Sequence, residues 1–345
     1  MKIGSLSIGL NHPPAIIAEI GINHNGDLGI AKDMVKAAVN AGADIIKHQT
    51  HFVEDEMTPD AKSVFPPNDP RSIWDIMEAS CLTPEAESEL KLYTEKLGGI
   101  YISTPFSRKA ANFLNEIDVP AFKIGSGEVS NLPLVRHIAS FGKPIIMSTG
   151  MHSISDITPA VQVLVDSGVE YALLECTNLY PSPPSNVSLH GIVELQQSFD
   201  NAIVGFSDHS MGPYLALASV ALGACIIERH FTDSRYRKGP DIICSMDPVE
   251  LTLLKQRSIE IFTAVRNKKS RTFEEQDVFN FARSSVVADV DLPADHVIQE
   301  SDIWARRPGS GEIPGSDFDK VIGKKTNRKI YRNEQINWDD ITGED

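Results

Sequence analysis

"ACIIERHFTD", residues 224–233, begins as a buried strand and ends as something else. Its apolar run passes into Glu228, Arg229 and His230 with no turn residue between. "AIVGFSDHS", residues 202–210, does the same, carrying an apolar run into Ser207, Asp208 and His209. A hydrophobic strand that finishes in charged and metal-capable side chains makes sense if the ends of several strands meet. The number of such strands therefore decides the fold.

Outward from these two, the same unit recurs towards the N-terminus. The apolar runs are "AIIAEIG" (15–21), "DIIKHQT" (44–50), "GIYISTPF" (99–106), "AFKIGSGE" (121–128), "KPIIMSTG" (143–150) and "YALLECTN" (171–178), making eight with the first pair. Amphipathic stretches separate them. In "LGIAKDMVKAAVNAG" (28–42), Ile30, Met34, Val35 and Ala38 recur at helical spacing and Gly42 supplies a stop. "TPEAESELKLYTEKLGG" (83–99) has a Thr cap, Pro84 at the first helical position and a glycine close. Strands alternating with helices imply parallel pairing through crossover connections. Eight units over about 250 residues predict a closed (β/α)₈ TIM barrel, whose strand ends form a ring at one mouth. A doubly wound sheet is the runner-up, although no GxGxxG follows the first strand.

Residues 1–268 are assigned to this catalytic barrel. "KKSRTFEEQDVFN" (268–280) lacks periodicity, so 269–283 reads as a linker. From 284 to 345 the texture changes to short β-like runs such as "SSVVADV", broken by "RRPGSGEIPG", and a small β-rich C-terminal module is expected. The formal charge of −15 argues against nucleic acid or an anionic membrane as the main partner. No run approaches the roughly 18–20 apolar residues of a membrane span, and the N-terminus lacks the pattern of a signal peptide. A cytoplasmic enzyme is expected. The scattered cysteines, three of the four in or beside apolar runs, read as buried thiols.

The strand ends supply the chemistry. Glu19 alternates with Ile17 and Gly21 in the first run, Lys47 and Gln49 share a face of the second, and the third ends at Thr104 and Pro105. The fourth gives Lys123, Ser126 and Glu128, the fifth Ser148 and Thr149, and the sixth Thr177, Asn178 and Tyr180. His209 and His230 close adjacent strands, where two neutral imidazoles suit a divalent metal or simply bond to each other at the rim. Two lysines with the hydroxyls of Thr104, Ser126 and Ser207 suit a ligand carrying a carboxylate and a phosphate. A lysine could equally form a Schiff base, as in some barrel aldolases, and Glu128 could move protons or only pair with a lysine.

The motifs "EIGINHNGDLGIAKDMV", "KHQTHFVEDEM", "STPFSR", "KIGSGE", "STGM", "CTNLYPSP", "SDHS", "ERHFTD" and "GPD" occur in this order and resemble the sialic acid (N-acetylneuraminate) synthase family. "RRPGSGEIPG" and "VIGKK" resemble the antifreeze-like (SAF) domain that closes those enzymes. The resemblance covers essentially the whole chain. It implies a transferase of class EC 2.5.1 that condenses phosphoenolpyruvate (PEP) with an N-acetylated amino sugar and water, releasing phosphate. Lys47, Thr104, Lys123, Ser126, Asn178 and Ser207 match the positions that hold PEP. His209 and His230 match the protein ligands of a divalent cation, manganese foremost, with magnesium or cobalt as alternatives. Glu19, Gln49, Asn68, Tyr180 and Asp241 match positions around the sugar or the cation's waters. Glu128 is assigned to proton handling. Arg307 matches an arginine contributed by the partner subunit of a domain-exchanged homodimer.

N-acetylmannosamine is the expected acceptor, and a 2,4-diacetamido-2,4,6-trideoxyhexose the alternative, giving legionaminic or, less well matched, pseudaminic acid. Val129, Ser130, Leu132, Glu175 and Arg283 depart from the sialic acid branch. A non-catalytic carbohydrate-binding SAF protein is the alternative from another class, and the retained Lys47, Lys123, Glu128, His209 and His230 argue against it.

Overall fold

The computed structural model describes residues 1–65 and 70–343. The chain divides into two compact units, Met1–Asn267 and Lys268–Asp345.

In the first unit all eight expected strands form, and we number them β1 (Ala15–Gly21), β2 (Ile45–Thr50), β3 (Ile100–Pro105), β4 (Phe122–Ile124), β5 (Ile145–Ser148), β6 (Tyr171–Cys176), β7 (Ile203–Asp208) and β8 (Ile226–His230). Each pairs in parallel with its successor, and β8 pairs with β1 from Ile226↔Ala15 to His230↔Glu19. That last ladder closes the barrel and excludes the open sheet.

Alternation along each strand divides the apolar residues between two cores. Ile16, Ala18, Ile46, Tyr101, Phe122, Phe206 and Ile227 face outward and pack beneath the helices. Ile17, Ile45, Ile102, Ile146, Leu174 and Ile226 face inward and fill the barrel. A short hairpin, Lys2–Ile3 with Leu6–Ser7, brings Ile3 and Ile8 into that inner core. Gly205 faces inward where space runs out, since a Cβ there would lie 2.5 Å from the Ile226 carbonyl oxygen and 2.6 Å from Leu174. Each fully buried Ile or Leu contributes about 1.5–3 kcal/mol relative to exposure.

The helices form where local chemistry starts them. Helix Leu28–Asn40 is capped by Asp27, whose carboxylate accepts from the Ile30 amide, and helix Pro84–Lys96 by the Thr83 hydroxyl. Both bury one face against the barrel, which is why their apolar spacing was legible.

The second unit has its own core of Val286, Ala288, Leu292, Ile298, Ile303, Ile313, Val321, Ile330, Ile336 and Ile341. Strand Ser285–Ala288 pairs antiparallel with Ile303–Arg306, and Lys325–Thr326 with Ile341–Thr342. The stretch 269–283, read as a linker, contains a helix, Gln276–Ala282. A capping box between Thr272 and Glu275 starts it, and Arg271 and Arg283 lie 3.9 and 5.1 Å over the Phe279 ring. Seven residues are too few to display a helical period.

Candidate active site

The parity that puts Ile17, Ile45 and Ile226 inside the barrel also turns the later residues of the same strands inward. Nearest the carboxyl ends these are Glu19, Lys47, Gln49, Thr104, Lys123, Ser148, Cys176, Ser207, Glu228 and His230. All but Glu19 line one cavity of about 140 Å³, joined by Phe106, Ser126, Asn178, Tyr180 and His209 from the loops beyond. Glu19 lies just behind, paired with Lys47 and accepting from Gln49 Nε2 at 3.0 Å.

The cavity floor is a buried charge cluster. Lys47 Nζ contacts Glu19, donates to Thr104 Oγ1 at 3.2 Å and lies 3.9 Å from Glu228 Oε1. Lys123 Nζ donates to Ser148 Oγ at 2.6 Å and lies 3.7 Å from the same Glu228 oxygen, which also accepts from Ser207 Oγ at 3.1 Å. Burial opposes the Lys47 ammonium, but Glu19 and Glu228 outweigh it and its pKa is raised. Burial prevails at Lys123, whose pKa is lowered despite Glu228. For Glu228 the two lysines overcome burial and hold the carboxyl below its usual range. Glu228 Oε2 has no hydrogen-bond partner among the described residues. The cluster has two ammonium groups with five neutral donors around them (Thr104, Ser126, Ser148, Asn178, Ser207), which suits a small polyanion. Gly150 makes room for one of these, because a Cβ there would overlap Asn178 Oδ1.

Above the floor, His209 and His230 face each other with ring centroids 5.4 Å apart. His209 Nδ1 donates to the Thr177 carbonyl at 2.8 Å, which fixes its tautomer and frees Nε2. Tyr180 packs on His209 at 4.1 Å between centroids. Burial lowers both imidazoles to about 4, with His230 adding to the effect at His209, so each keeps a lone pair at neutral pH. His230 Nδ1 is buried without a hydrogen-bond partner among the described residues, 3.7 Å from Asp241 Oδ2. That orphaned nitrogen beside a fixed neutral imidazole fits a divalent cation with water or ligand atoms completing its shell. Among the described residues no group of three or more His, Cys, Asp or Glu is placed to hold a metal ion.

A larger cavity of about 610 Å³ shares Gln49, Phe106, Tyr180 and His230 with the first. Ile22, Ile73, Ile76 and Met77 form its apolar side, and Asn25, Lys238 and Asp241 its polar side. Asn23 holds the Asp241 segment in place. Its Oδ1 accepts from the Asp241 amide at 3.2 Å, while its Nδ2 donates to the Phe231 carbonyl and to Ser245 Oγ. Burial raises the Asp241 carboxyl to about 6.

The structure thus brings together Glu19, Lys47, Gln49, Thr104, Lys123, Ser126, Asn178, Tyr180, Ser207, His209, His230 and Asp241. Glu128 does not line either cavity. It ends the short turn Ser126–Glu128, half-buried, with its carboxylate accepting from Asn131 at 2.7 Å and its pKa raised by burial. The carboxylate beside Lys123 is Glu228, not Glu128. Asn68 lies outside the described residues. Arg307 is exposed in the second unit, directly after strand Ile303–Arg306. Sequence reading passed over Glu228, Cys176 and the positioning role of Asn23. Glu228 was detectable, since it shares strand parity with His230.

The fold and this site define a (β/α)₈ enzyme whose mouth carries a floor of buried, paired lysines and carboxylates beneath a pair of neutral histidines, followed by a small β-rich module. Residues 34–270 match the NeuB family and residues 283–342 the SAF domain. The chain belongs to the NeuB family of nonulosonic acid synthases, which make sialic, legionaminic and pseudaminic acids. It is 35% identical to the N,N'-diacetyllegionaminic acid synthase of Campylobacter jejuni over 93% of this chain and 98% of that one. Identity to the human N-acetylneuraminate-9-phosphate synthase is 31%, covering 92% and 90%. Among solved structures, the N-acetylneuraminic acid synthetase of Leptospira borgpetersenii superposes with a TM-score of 0.74 at 31% identity, covering 81% of this chain and 94% of that one.

Proposed function

We propose that this enzyme condenses PEP with N-acetylmannosamine and water to give N-acetylneuraminate and phosphate. The observation that carries this reading is the buried Lys47–Glu228–Lys123 cluster, ringed by hydroxyl and amide donors and opening into a larger cavity. Lys47, Thr104, Lys123, Ser126, Asn178 and Ser207 bind the phosphate and carboxylate of PEP. Their charges and dipoles are set before the ligand arrives, so little reorganisation is needed as charge moves. Gln49, Glu19, Tyr180 and Asp241 position the open-chain sugar, with Asn68 as a further contact.

His209 and His230 hold the divalent cation, manganese foremost with magnesium or cobalt as alternatives, which supplies Lewis-acid polarisation of the sugar aldehyde when bound. C3 of PEP bonds to the aldehyde carbon, whose oxygen takes a proton and becomes a hydroxyl. Water adds at C2 and gives up its proton, and the tetrahedral centre collapses as inorganic phosphate leaves. Glu128 at the rim is the proposed group for one of these proton transfers, its raised pKa suiting it to carry a proton near neutrality. Arg307 of the partner subunit completes the acceptor site in a domain-exchanged homodimer. Tyr214, the first residue of helix Tyr214–Ala221 after β7, and Tyr236, in the loop after β8, are 77% and 99% exposed and give such a partner apolar surface to cover.

The deciding experiment measures phosphate release from PEP with Mn²⁺ and either N-acetylmannosamine or 2,4-diacetamido-2,4,6-trideoxymannose. Release with the first alone supports the sialic acid reading. Release with the second alone replaces it with legionaminic acid synthesis, a reading favoured by the apolar side of the outer cavity. The lowered pKa of Lys123 favours one further reading, imine formation. Borohydride trapping of the protein with a carbonyl substrate and no metal would establish it in place of the condensation.

A further inference from the structure

Arg229 and Asp208 are buried ionisable residues that the chemistry above does not use. They sit opposite each other in the β7–β8 ladder, in the Arg229↔Asp208 register position. Both have outward parity, shared with Ile227 and Phe206 of the outer core. The next residue in the chain after each is a histidine facing the mouth, His230 ending β8 and His209 just beyond β7. The outer face therefore carries an Arg–Asp pair beside the inner pair His230 and His209.

The arginine does more than neutralise its neighbour. Its Nε lies 3.5 Å from Asp208 Oδ2, Nη2 donates to the Ser210 carbonyl at 2.6 Å, and Nη1 donates to the Gly212 carbonyl. Asp208 Oδ1 accepts from the Ser210 amide at 2.8 Å. These contacts bracket His209 on both sides in the chain. The remaining restraints on His209 come from β6 and the loop after it: Thr177 on the ring, and the Ser182 amide on its carbonyl at 3.0 Å. A planar guanidinium can reach two carbonyls and a carboxylate at once, which a lysine ammonium on a flexible stem cannot do in the same geometry.

We infer that Arg229 is a positioning residue for the divalent-cation site, clamping the Asp208–Gly212 turn so that His209 faces His230. This rests on the proposed metal role of those histidines. Groups behind metal ligands tune affinity by about 10–100-fold, and a rigid turn matters most where the protein supplies only two ligands.

The test uses Arg229→Lys, which keeps a cation opposite Asp208, in the full-length protein. Free Mn²⁺ is titrated by electron paramagnetic resonance, and PEP binding is measured separately on metal-free protein by calorimetry. The expected result is Mn²⁺ affinity weakened about 10–100-fold, with PEP affinity within about twofold, because the PEP lysines stand on β2 and β4. Unchanged Mn²⁺ affinity overturns the inference, and so does an equal loss in both affinities, which would mean general loosening. If Arg229→Lys does not fold, Arg229→Met combined with Asp208→Asn removes both charges and takes the same measurements. Wild-type protein that fails to bind Mn²⁺ refutes the metal reading itself and this inference with it. Binding by wild type and variant alike refutes only the clamp.

Discussion

In the proposed cation site protons would compete with the metal for His209 and His230, and burial determines at what pH they win. Two imidazoles with the ordinary pKa of about 6.5 would lose metal affinity about 16-fold between pH 8 and 6, and about 1,000-fold by pH 5. Here both rings are lowered to about 4, so the neutral, ligating form persists through that range. The same arithmetic then leaves a loss of only about 1.2-fold at pH 5 from the two histidines. Asp241 runs the other way. Burial raises its carboxyl to about 6, so it loses its charge as pH falls through that value. If it helps hold the cation's waters, it adds a single-proton loss of about 10-fold by pH 5.

Mn²⁺ titrations at pH 8, 6 and 5, on wild type and Asp241→Asn, separate these terms. The expected wild-type profile falls by about 12-fold at most by pH 5, with a one-proton slope, and the variant is nearly flat. A two-proton slope starting near the ordinary histidine pKa would show that the rings are not desolvated as described, and would refute the reasoning.

Four further outcomes are expected. Lys47→Met leaves Glu19 and Glu228 short of a buried partner and should lower unfolding free energy by about 3–5 kcal/mol in urea titrations, besides weakening PEP binding; a loss below 1 kcal/mol would mean the cluster is not strongly coupled. His230→Ala should abolish turnover while the far-ultraviolet dichroism stays native, and retained activity would remove the metal role. Glu128→Gln should reduce kcat about 100-fold with the KM for PEP little changed, whereas full activity takes Glu128 out of the chemistry. Glu175 is raised to about 7 by burial and by Glu194, so the folded state holds its proton where the unfolded chain has lost it, and stability falls as pH rises from about 4.5 to 7. Discounted for partial exposure, Glu175→Gln should gain about 1–2 kcal/mol more at pH 8 than at pH 5 in paired denaturation curves, and parallel curves would contradict the shift.

Glu128 and Glu228 show where reading the chain succeeds and where it stops. Both are carboxylates at strand ends, and in the sequence Glu128 stands closer to Lys123. The short turn after β4 moves it out to the rim, while barrel closure brings Glu228 from the last strand to within 3.7 Å of the same lysine. Proximity along the chain is a poor guide once parallel strands lie between. Helix Gln276–Ala282 was missed for a different reason, its brevity, which leaves capping as its only local signal.

The sequence by itself determined the eight strands, their alternating faces, the capped helices between them and most of the groups at the mouth. Those follow from rules spanning a few residues: alternation with a period of two, helical spacing and capping. Only the tertiary structure decided that Glu228 bridges Lys47 and Lys123, that burial holds His209 and His230 neutral, and that Arg229 backs the turn carrying His209. Each of these depends on distance across the closed barrel and on removal from water, and both are set by the β8–β1 ladder and the packed outer layer.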